Sequence, residues 1–124
     1  MAHRVLVIDD DTNIVKLIQL NLRMEGFEVF TAPDGRSGLA AAREHSPHVI
    51  ILDVMMPGMS GHEVLDQLKA DPLTENIPVL MLTALSAASD IAQSLIGGAE
   101  WHLTKPFELT ELTEMVRRLL SINE

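Results

Sequence analysis

The sequence contains no cysteine, few basic residues and no long uninterrupted apolar segment. Without cysteine, a disulfide scaffold, a thiolate zinc site and a cysteine nucleophile are all excluded. Lysine and arginine total 9 against 18 aspartates and glutamates, and this net charge of −9 argues against nonspecific binding to nucleic acid or anionic membranes. The longest apolar run, Val49–Met56, is interrupted by Asp53 and is shorter than the ~20 residues that span a bilayer. The first residues show no signal-peptide pattern, so we expect a cytoplasmic protein.

Short apolar runs alternate with longer segments of helical periodicity, in a chain whose 124 residues are 47% hydrophobic. This strict alternation predicts an α/β fold, a doubly wound parallel sheet with helices on both faces, in one domain over residues 1–124. The predicted strands are Arg4–Asp9, Phe27–Ala32, Val49–Asp53, Pro78–Thr83 and Glu100–Thr104. The predicted helices are Asp11–Glu25, Gly35–His45, Ser60 to about Ala70, Ser86–Ile96, and Leu109 to near Ile122.

Polar side chains stand where the predicted strands end. Each has a simple structural explanation: Asp11 suits a helix N-cap, and Asp9 and Asp10 suit the positive end of the same helix dipole. Carboxyl ends of parallel strands meet at one edge of a sheet, however, so we expect these groups to face one another across a crevice. The conjunction indicates a site. The full set is Asp9, Asp10, Asp11, Asp53, Thr83 and Lys105.

The clustered carboxylates limit the chemistry of such a site. At ~4 Å separation they repel by roughly 4 kcal/mol per pair at a surface-like dielectric, so the cluster holds either a proton or a cation. Oxygen ligands without histidine or cysteine favour a hard ion, magnesium before calcium. With such an ion present, an ionised Asp53 can attack a phosphoryl group whose charge Lys105 neutralises and to which Thr83 donates a hydrogen bond.

Four motifs together resemble the receiver domain of two-component response regulators. In chain order they are V-L-V-I-D-D-D, I-L-D-V-M-M-P-G-M-S-G, V-L-M-L-T-A and L-T-K-P-F. The resemblance covers the chain from end to end and is closest to the receivers of winged-helix DNA-binding regulators. It implies a flavodoxin-like fold of five strand–helix units with strand order 2-1-3-4-5.

The resemblance also implies a phosphoacceptor and a cofactor. Asp53 would be phosphorylated from the phosphohistidine of a sensor histidine kinase or a phosphotransfer protein. Mg²⁺, or Mn²⁺ in its place, would be held by Asp10, Asp53 and the Met55 carbonyl, with support from Asp9. The family acts on no separate metabolite, so the only activities implied are self-phosphorylation and self-dephosphorylation.

The resemblance assigns further residues to the phosphoryl group. Thr83, Lys105 and the backbone N–H of Ala84 would contact it, and the Lys105–Pro106 peptide bond would be cis. On activation Thr83 would move toward the phosphoryl group, and residue 102 would turn inward into the vacated space.

Residue 102 departs from the family, which usually has Tyr or Phe at this position. Here it is His102, preceded by Trp101. One interpretation is that histidine is simply a tolerated substitute. The other is that activation weakens as His102 becomes protonated, because charging the imidazole in a buried space is unfavourable.

The predicted fourth helix departs as well, since it carries no basic residue. Related DNA-binding regulators dimerise through charge pairs across the fourth helix, fifth strand and fifth helix. Here Ile91 and Trp101 predict a more apolar partner or dimer surface. The alternative is that these apolar side chains belong to the core, and we expect Leu95 and Ile96 to be partly buried in it.

Two positions bear on the lifetime of the phosphoryl group. The residues two beyond Asp53 and Thr83 are Met55 and Leu85, both apolar. Apolar groups do not orient water, so we expect slow self-dephosphorylation.

Two other functions share the predicted fold. A binding module of receiver type without phosphorylation is disfavoured, because every key residue is present. A flavin or nucleotide binder needs a loop rich in Gly, Ser or Thr after the first strand, whereas the run at residues 9–11 would repel phosphate unless a metal intervenes. One receiver uses the whole length, so we expect the chain either to act alone or to be the receiver of a longer regulator, with any DNA binding elsewhere.

Overall fold

The computed structural model describes residues 2–84 and 88–121. Strands and helices alternate along them, as the periodicity predicts. The strands are β1 (Arg4–Ile8), β2 (Glu28–Ala32), β3 (Val49–Asp53), β4 (Val79–Ala84) and β5 (Trp101–Lys105). The helices are α1 (Thr12–Met24), α2 (Gly35–His45), α3 (Gly61–Ala70), α4 (Ala88–Ile96) and α5 (Leu109–Ser121). The predicted helix start at Ser86, the apolar position Leu85 and the predicted helix end near Ile122 lie outside the described residues.

The five strands form one parallel sheet in the order β2-β1-β3-β4-β5, which confirms the expected topology. Every residue of β3 is buried, as expected for a central strand covered on both faces. Asp53 pairs in register with Leu82, so the carboxyl ends of β3 and β4 lie side by side. Within the described ranges, no helix is long and apolar enough to cross a membrane.

Alternate strand residues contribute to two cores, one on each face of the sheet. The first packs residues such as Val7, Ile51 and Leu82 against α1 and α5. The second packs the intervening residues, such as Ile8 and Met81, against α2 and α3. The period-2 alternation of side chains thus decides toward which face each strand-end residue points.

Small boundary shifts have local causes. The helix α1 begins at Thr12 because Asp11 is extended (φ −80°, ψ 102°) and its carboxylate accepts the N–H groups of Asn13 and Ile14 at 3.0 and 3.2 Å, which confirms the N-cap explanation. The strand β4 begins after Pro78, which has no N–H to donate.

The start of α3 lies directly against the end of β3. Ser60 caps this helix by accepting the N–H of Glu63 at 3.3 Å, as a serine three residues before a glutamate commonly does. Gly61 is packed so closely that a Cβ atom there would collide with the Asp53 carbonyl oxygen and lie 2.7 Å from Val54 Cα. Glycine at this position therefore lets the helix approach the carboxyl end of β3.

Candidate functional site

Three charged side chains meet at the carboxyl edge of the sheet, on the face covered by α1 and α5. Lys105 Nζ lies 2.9 Å from Asp53 Oδ1 and 3.4 Å from Asp9 Oδ2. Asp9 is 1% exposed and Asp53 4% exposed. The strand ends thus bring together residues that lie up to 96 positions apart in the sequence, as predicted.

Asp10 completes an acidic cluster with these two carboxylates. One ligand oxygen from each of Asp9, Asp10 and Asp53 lies within 4.8 Å of the others. In the described ranges this is the one group of three or more acidic, histidine or cysteine side chains so placed. Three carboxylates without a nitrogen or sulfur ligand fit a hard divalent cation such as Mg²⁺.

Burial dominates the electrostatics of the cluster. It raises the pKa of Asp53 to about 6. The hydrogen bond and positive charge of Lys105 oppose this rise, and the negative charge of Asp9 adds to it. Burial likewise raises the pKa of Asp9, although the Asp11 N–H that bonds to it at 3.0 Å and the Lys105 charge oppose this. Burial alone would lower the pKa of Lys105, but its bonds and charge interactions with Asp53 and Asp9 raise it.

Thr83 lies on the other face of the sheet edge. It is 1% exposed, and its hydroxyl has no hydrogen-bond partner among the described residues. Ala84, the last residue of β4, is exposed and pairs in register with Lys105. The Lys105–Pro106 bond is cis, as expected.

Two hollows are lined by Lys105 or by residues that follow Asp53 in the chain, and neither is evident from the sequence pattern. One, of about 480 Å³, is lined by Val54, Met55, Met56, Pro57, Ser60 and His62. The Met55 side chain is 70% exposed there. His62, the second residue of α3, lines this hollow, but its position in the sequence does not indicate a place near the site.

The second hollow is an apolar groove of about 450 Å³ between α1 and the start of α5. It is lined by Ile14, Leu17, Ile18, Ala84, Lys105, Pro106, Phe107 and Leu109. Leu17 widens the apolar stripe of α1 in the sequence but is exposed in the structure. Apolar periodicity alone does not separate such groove residues from the core beneath them.

The stretch from Ile91 to Thr104, which carries most of α4 and β5, is almost uncharged. Residues 91–104 contain one charged side chain, Glu100, and its carboxylate is paired with Lys69 at 2.7 Å. Leu95 is 47% and Ile96 88% exposed, so the expectation that they are partly core is wrong: they lie on the outer side of α4. Trp101 is 49% exposed and Ile91 is half-buried.

Comparison with known proteins agrees with this architecture. The response regulator receiver domain family matches residues 5–117. RpaA of Synechocystis, described as a DNA-binding dual master transcriptional regulator, is 45% identical over 117 residues, which cover 94% of this chain and 48% of RpaA. The response regulator PleD of Caulobacter vibrioides is 46% identical over 96% of this chain and 26% of PleD. The chain thus spans half or less of the length of these curated relatives.

Solved structures show the same fold over almost the whole chain. A response regulator structure from Chloroflexus aurantiacus superposes with a TM-score of 0.93 at 35% identity and covers 98% of this chain and 99% of that one. The chemotaxis protein CheY4 of Vibrio cholerae superposes with a TM-score of 0.90 at 34% identity over 96% of this chain and 99% of its own. The chain therefore belongs to the response regulator receiver domain family, as its four motifs indicated.

Proposed function

We propose that this domain is a phosphoacceptor switch in which Asp53 receives a phosphoryl group from the phosphohistidine of a sensor kinase or phosphotransfer protein. The observation that carries the proposal is the buried Asp53 carboxylate, held at 2.9 Å by Lys105 beside two further carboxylates. A structural ion pair needs one acid and one base. Asp9 and Asp10 add carboxylate repulsion to this pair, and such repulsion is useful only where the site binds further positive charge.

The transfer step is a displacement at phosphorus. A carboxylate oxygen of Asp53 forms the new P–O bond while the P–N bond to the donor imidazole breaks, and the imidazole leaves with the bonding electron pair and takes up a proton. Lys105 neutralises charge on the phosphoryl oxygens, and the Thr83 hydroxyl and the Ala84 N–H donate to them. Thr83 suits this role because its buried hydroxyl has no other partner in the described part of the chain.

The acidic cluster fits a divalent cation. Asp10, Asp53 and the Met55 carbonyl would hold Mg²⁺, or Mn²⁺ in its place, with Asp9 supporting the ion. When bound, the ion supplies positive charge that offsets the charge on the phosphoryl oxygens. The chain on its own brings Lys105 to the same carboxylates, so part of the charge compensation is built into the protein.

The output of the switch would be a changed surface on α4, β5 and α5. Movement of Thr83 toward the phosphoryl group would let His102 turn inward and alter the exposure of Trp101. The nearly uncharged stretch at residues 91–104 is where two copies of a chain of charge −9 approach with least repulsion. A phospho-dependent homodimer or a partner with an apolar face would therefore bind at Ile91 and Trp101.

The proposal is tested by incubating the protein with a small acyl phosphate and Mg²⁺ and measuring its intact mass. We expect one phosphoryl group per chain in the wild type and none in Asp53→Asn. Asp66→Asn, which changes an exposed aspartate of α3, is the matched control and should behave as the wild type. A wild type that never gains mass, or an Asp53→Asn variant that gains as much, would show that Asp53 is not the acceptor.

The partner surface needs its own measurement. Trp101→Ala should weaken phospho-dependent self-association or partner binding, measured by sedimentation of phosphorylated protein. Association of this variant at wild-type strength would place the contact elsewhere.

A further inference from the structure

The sulfur atoms of this chain all belong to methionines, and the structure separates these methionines by their exposure. The sequence has no cysteine, so no thiol of the chain competes with them for an oxidant. Met24 is 77% and Met55 70% exposed. The other methionines of the described residues lie in or against the two cores, and they are Met56, Met59, Met81 and Met115. Met24 and Met55 are therefore the thioethers that a dissolved oxidant reaches first.

Met55 has a place in the fold that Met24 lacks. It is the first exposed residue after β3, because every residue of that strand is buried and so is Val54, which follows it. Met55 lines the hollow of about 480 Å³ described above, whose wall is apolar apart from Ser60 and His62. A change in the polarity of the Met55 side chain therefore acts where solvent meets the carboxyl end of β3.

We propose that Met55 is an oxidation site through which a peroxide shortens the phosphorylated state of this receiver. The inference rests on the proposed function, in which Asp53 carries the phosphoryl group. In the oxidation step a lone pair of the Met55 sulfur attacks one oxygen of hydrogen peroxide, so that an S–O bond forms while the O–O bond breaks. The departing oxygen takes up the proton of the transferred one and leaves as water. Sulfur is thereby oxidised to the sulfoxide and the peroxide is reduced.

The sulfoxide has the property that the thioether lacks. A thioether sulfur is a weak hydrogen-bond acceptor and leaves nearby water unoriented, whereas the polar sulfoxide oxygen accepts a hydrogen bond from water and holds it in place. In hydrolysis the oxygen of a water molecule forms a bond to phosphorus while the bond from phosphorus to the Asp53 carboxylate breaks, which releases inorganic phosphate and restores the carboxylate. Water held at Met55 accelerates this step. Reduction of the sulfoxide restores the apolar side chain, so the effect is reversible.

The test measures the decay of the phosphorylated protein with and without prior oxidation. Protein is treated with hydrogen peroxide, freed of oxidant, phosphorylated with acyl phosphate and Mg²⁺, and then followed by intact mass once these reagents are removed. The mass registers both added oxygen and the phosphoryl group, and peptide mapping shows which methionines are oxidised. We expect the oxidised wild type to lose the phosphoryl group several times faster than its untreated sample. Treatment with methionine sulfoxide reductase should return it to slow decay.

Two variants assign the acceleration to one sulfur atom, each compared with its own untreated sample. Met55→Leu replaces the thioether by a hydrocarbon side chain of similar size that peroxide does not oxidise, so treatment should not accelerate its decay. Met24→Leu removes the other exposed thioether and should keep the full acceleration.

Three results would overturn the inference while leaving Asp53 as the acceptor. The first is an oxidised wild type that carries oxygen on Met55 and still decays at the untreated rate. The second is a Met55→Leu variant that peroxide accelerates as much as the wild type. The third is a Met55 that stays unoxidised under conditions that oxidise Met24. An untreated wild type that takes up no phosphoryl group overturns the proposed function itself.

Discussion

Lys105 and Asp53, which lie 52 positions apart in the sequence, are joined by an ion pair of 2.9 Å at the carboxyl edge of the sheet. Asp53 is almost fully buried, so this pair offsets part of the free energy lost when the carboxylate leaves water. The same lysine reaches Asp9 at 3.4 Å. A single ammonium group thus serves two buried acids.

Removing this ammonium should impair phosphoryl transfer to Asp53. We expect Lys105→Met to slow phosphorylation of Asp53 by roughly a hundredfold, because a charged donor aimed at the phosphoryl oxygens is lost. The rate is measured from the intact mass over time with excess acyl phosphate. Lys16→Met, which removes an exposed lysine of α1, is the control and should keep the wild-type rate. Equal rates in both variants would exclude the assigned role.

The raised pKa of Asp53 makes a prediction about stability and pH. An unperturbed aspartate carboxyl has a pKa of 3.8, whereas the pKa of Asp53 is about 6 in the fold, so between these values the folded protein binds more protons than the unfolded chain. Stability from this group is therefore present below pH 3.8 and is lost as pH rises through about 6.

The change Asp53→Asn removes the loss of stability that accompanies ionisation of the buried carboxyl group. With a chelator present at pH 7, the variant should be more stable than the wild type by about 3 kcal/mol in urea unfolding, because the amide is never charged. Near pH 4 the difference should be close to zero. A gain of the same size at both pH values would show that ionisation of Asp53 is not its source.

His48 should destabilise the fold in mild acid. Its Nδ1 accepts the Arg4 N–H at 2.9 Å, and burial, together with the charges of Arg4 and His3, lowers its pKa from 6.5. Below pH 6.5 the unfolded chain therefore binds the proton more readily than the folded protein does, and stability falls as pH decreases.

The change His48→Asn keeps an acceptor for the Arg4 N–H without a titrating group. Urea unfolding between pH 7 and about 5 should show a smaller loss of stability in this variant than in the wild type. Parallel pH profiles for the two proteins would mean that another group is responsible.

Gly61→Ala should be strongly destabilising, because the added methyl group would collide with the backbone of Asp53 and Val54. We expect a loss of about 2 kcal/mol or more in urea unfolding. Gly58→Ala is the comparison: its φ is +77° but nothing lies within 4 Å of the new Cβ, so only backbone strain of about 1 kcal/mol applies. If Gly61→Ala costs no more than Gly58→Ala, the close approach of α3 to β3 is not essential.

Met55 is expected to prolong the phosphorylated state. Its exposed side chain lines the same hollow as Val54, the residue after Asp53, and cannot orient a water molecule for hydrolysis. Met55→Asn should therefore lose the phosphoryl group several times faster, followed as loss of label from purified phosphoprotein. Met24→Asn changes another exposed methionine, on α1, and should decay as the wild type does. Unchanged decay in the Met55 variant would remove this residue as a cause of slow hydrolysis.

The elements and the core of the site were predictable because they follow from short-range rules. Asp53 and Lys105 end their strands and Thr83 is the last residue but one of β4, and parallel strands bring such ends to one edge. Asp11 was predictable as a cap because its side chain acts on N–H groups only two and three residues away. Gly26, which follows the C-cap residue Glu25 of α1, has φ +92°, the left-handed conformation that glycine favours after a helix.

The surface was less predictable, because apolar side chains have the same sequence pattern whether they face the core or solvent. Leu95 and Ile96 satisfy the helical period but point outward, and Leu17 borders a groove. The rings of Trp101 and His102 stack with their centroids 5.9 Å apart, although consecutive residues of a strand point to opposite faces of the sheet. They meet because β5 is an edge strand. Such features depend on neighbours that a local pattern does not specify.

The run of three aspartates after β1 shows how one repeated letter can hold three different constraints. Asp9 is buried and accepts the Asp11 N–H, Asp10 is exposed within the acidic cluster, and Asp11 caps α1. The three positions should therefore tolerate different substitutions. Serine, threonine or asparagine can replace the cap, whereas a neutral residue at either other position weakens the negative charge of the proposed cation site. A homopolymeric stretch that looks redundant is, residue by residue, unequal in the mutations it can absorb.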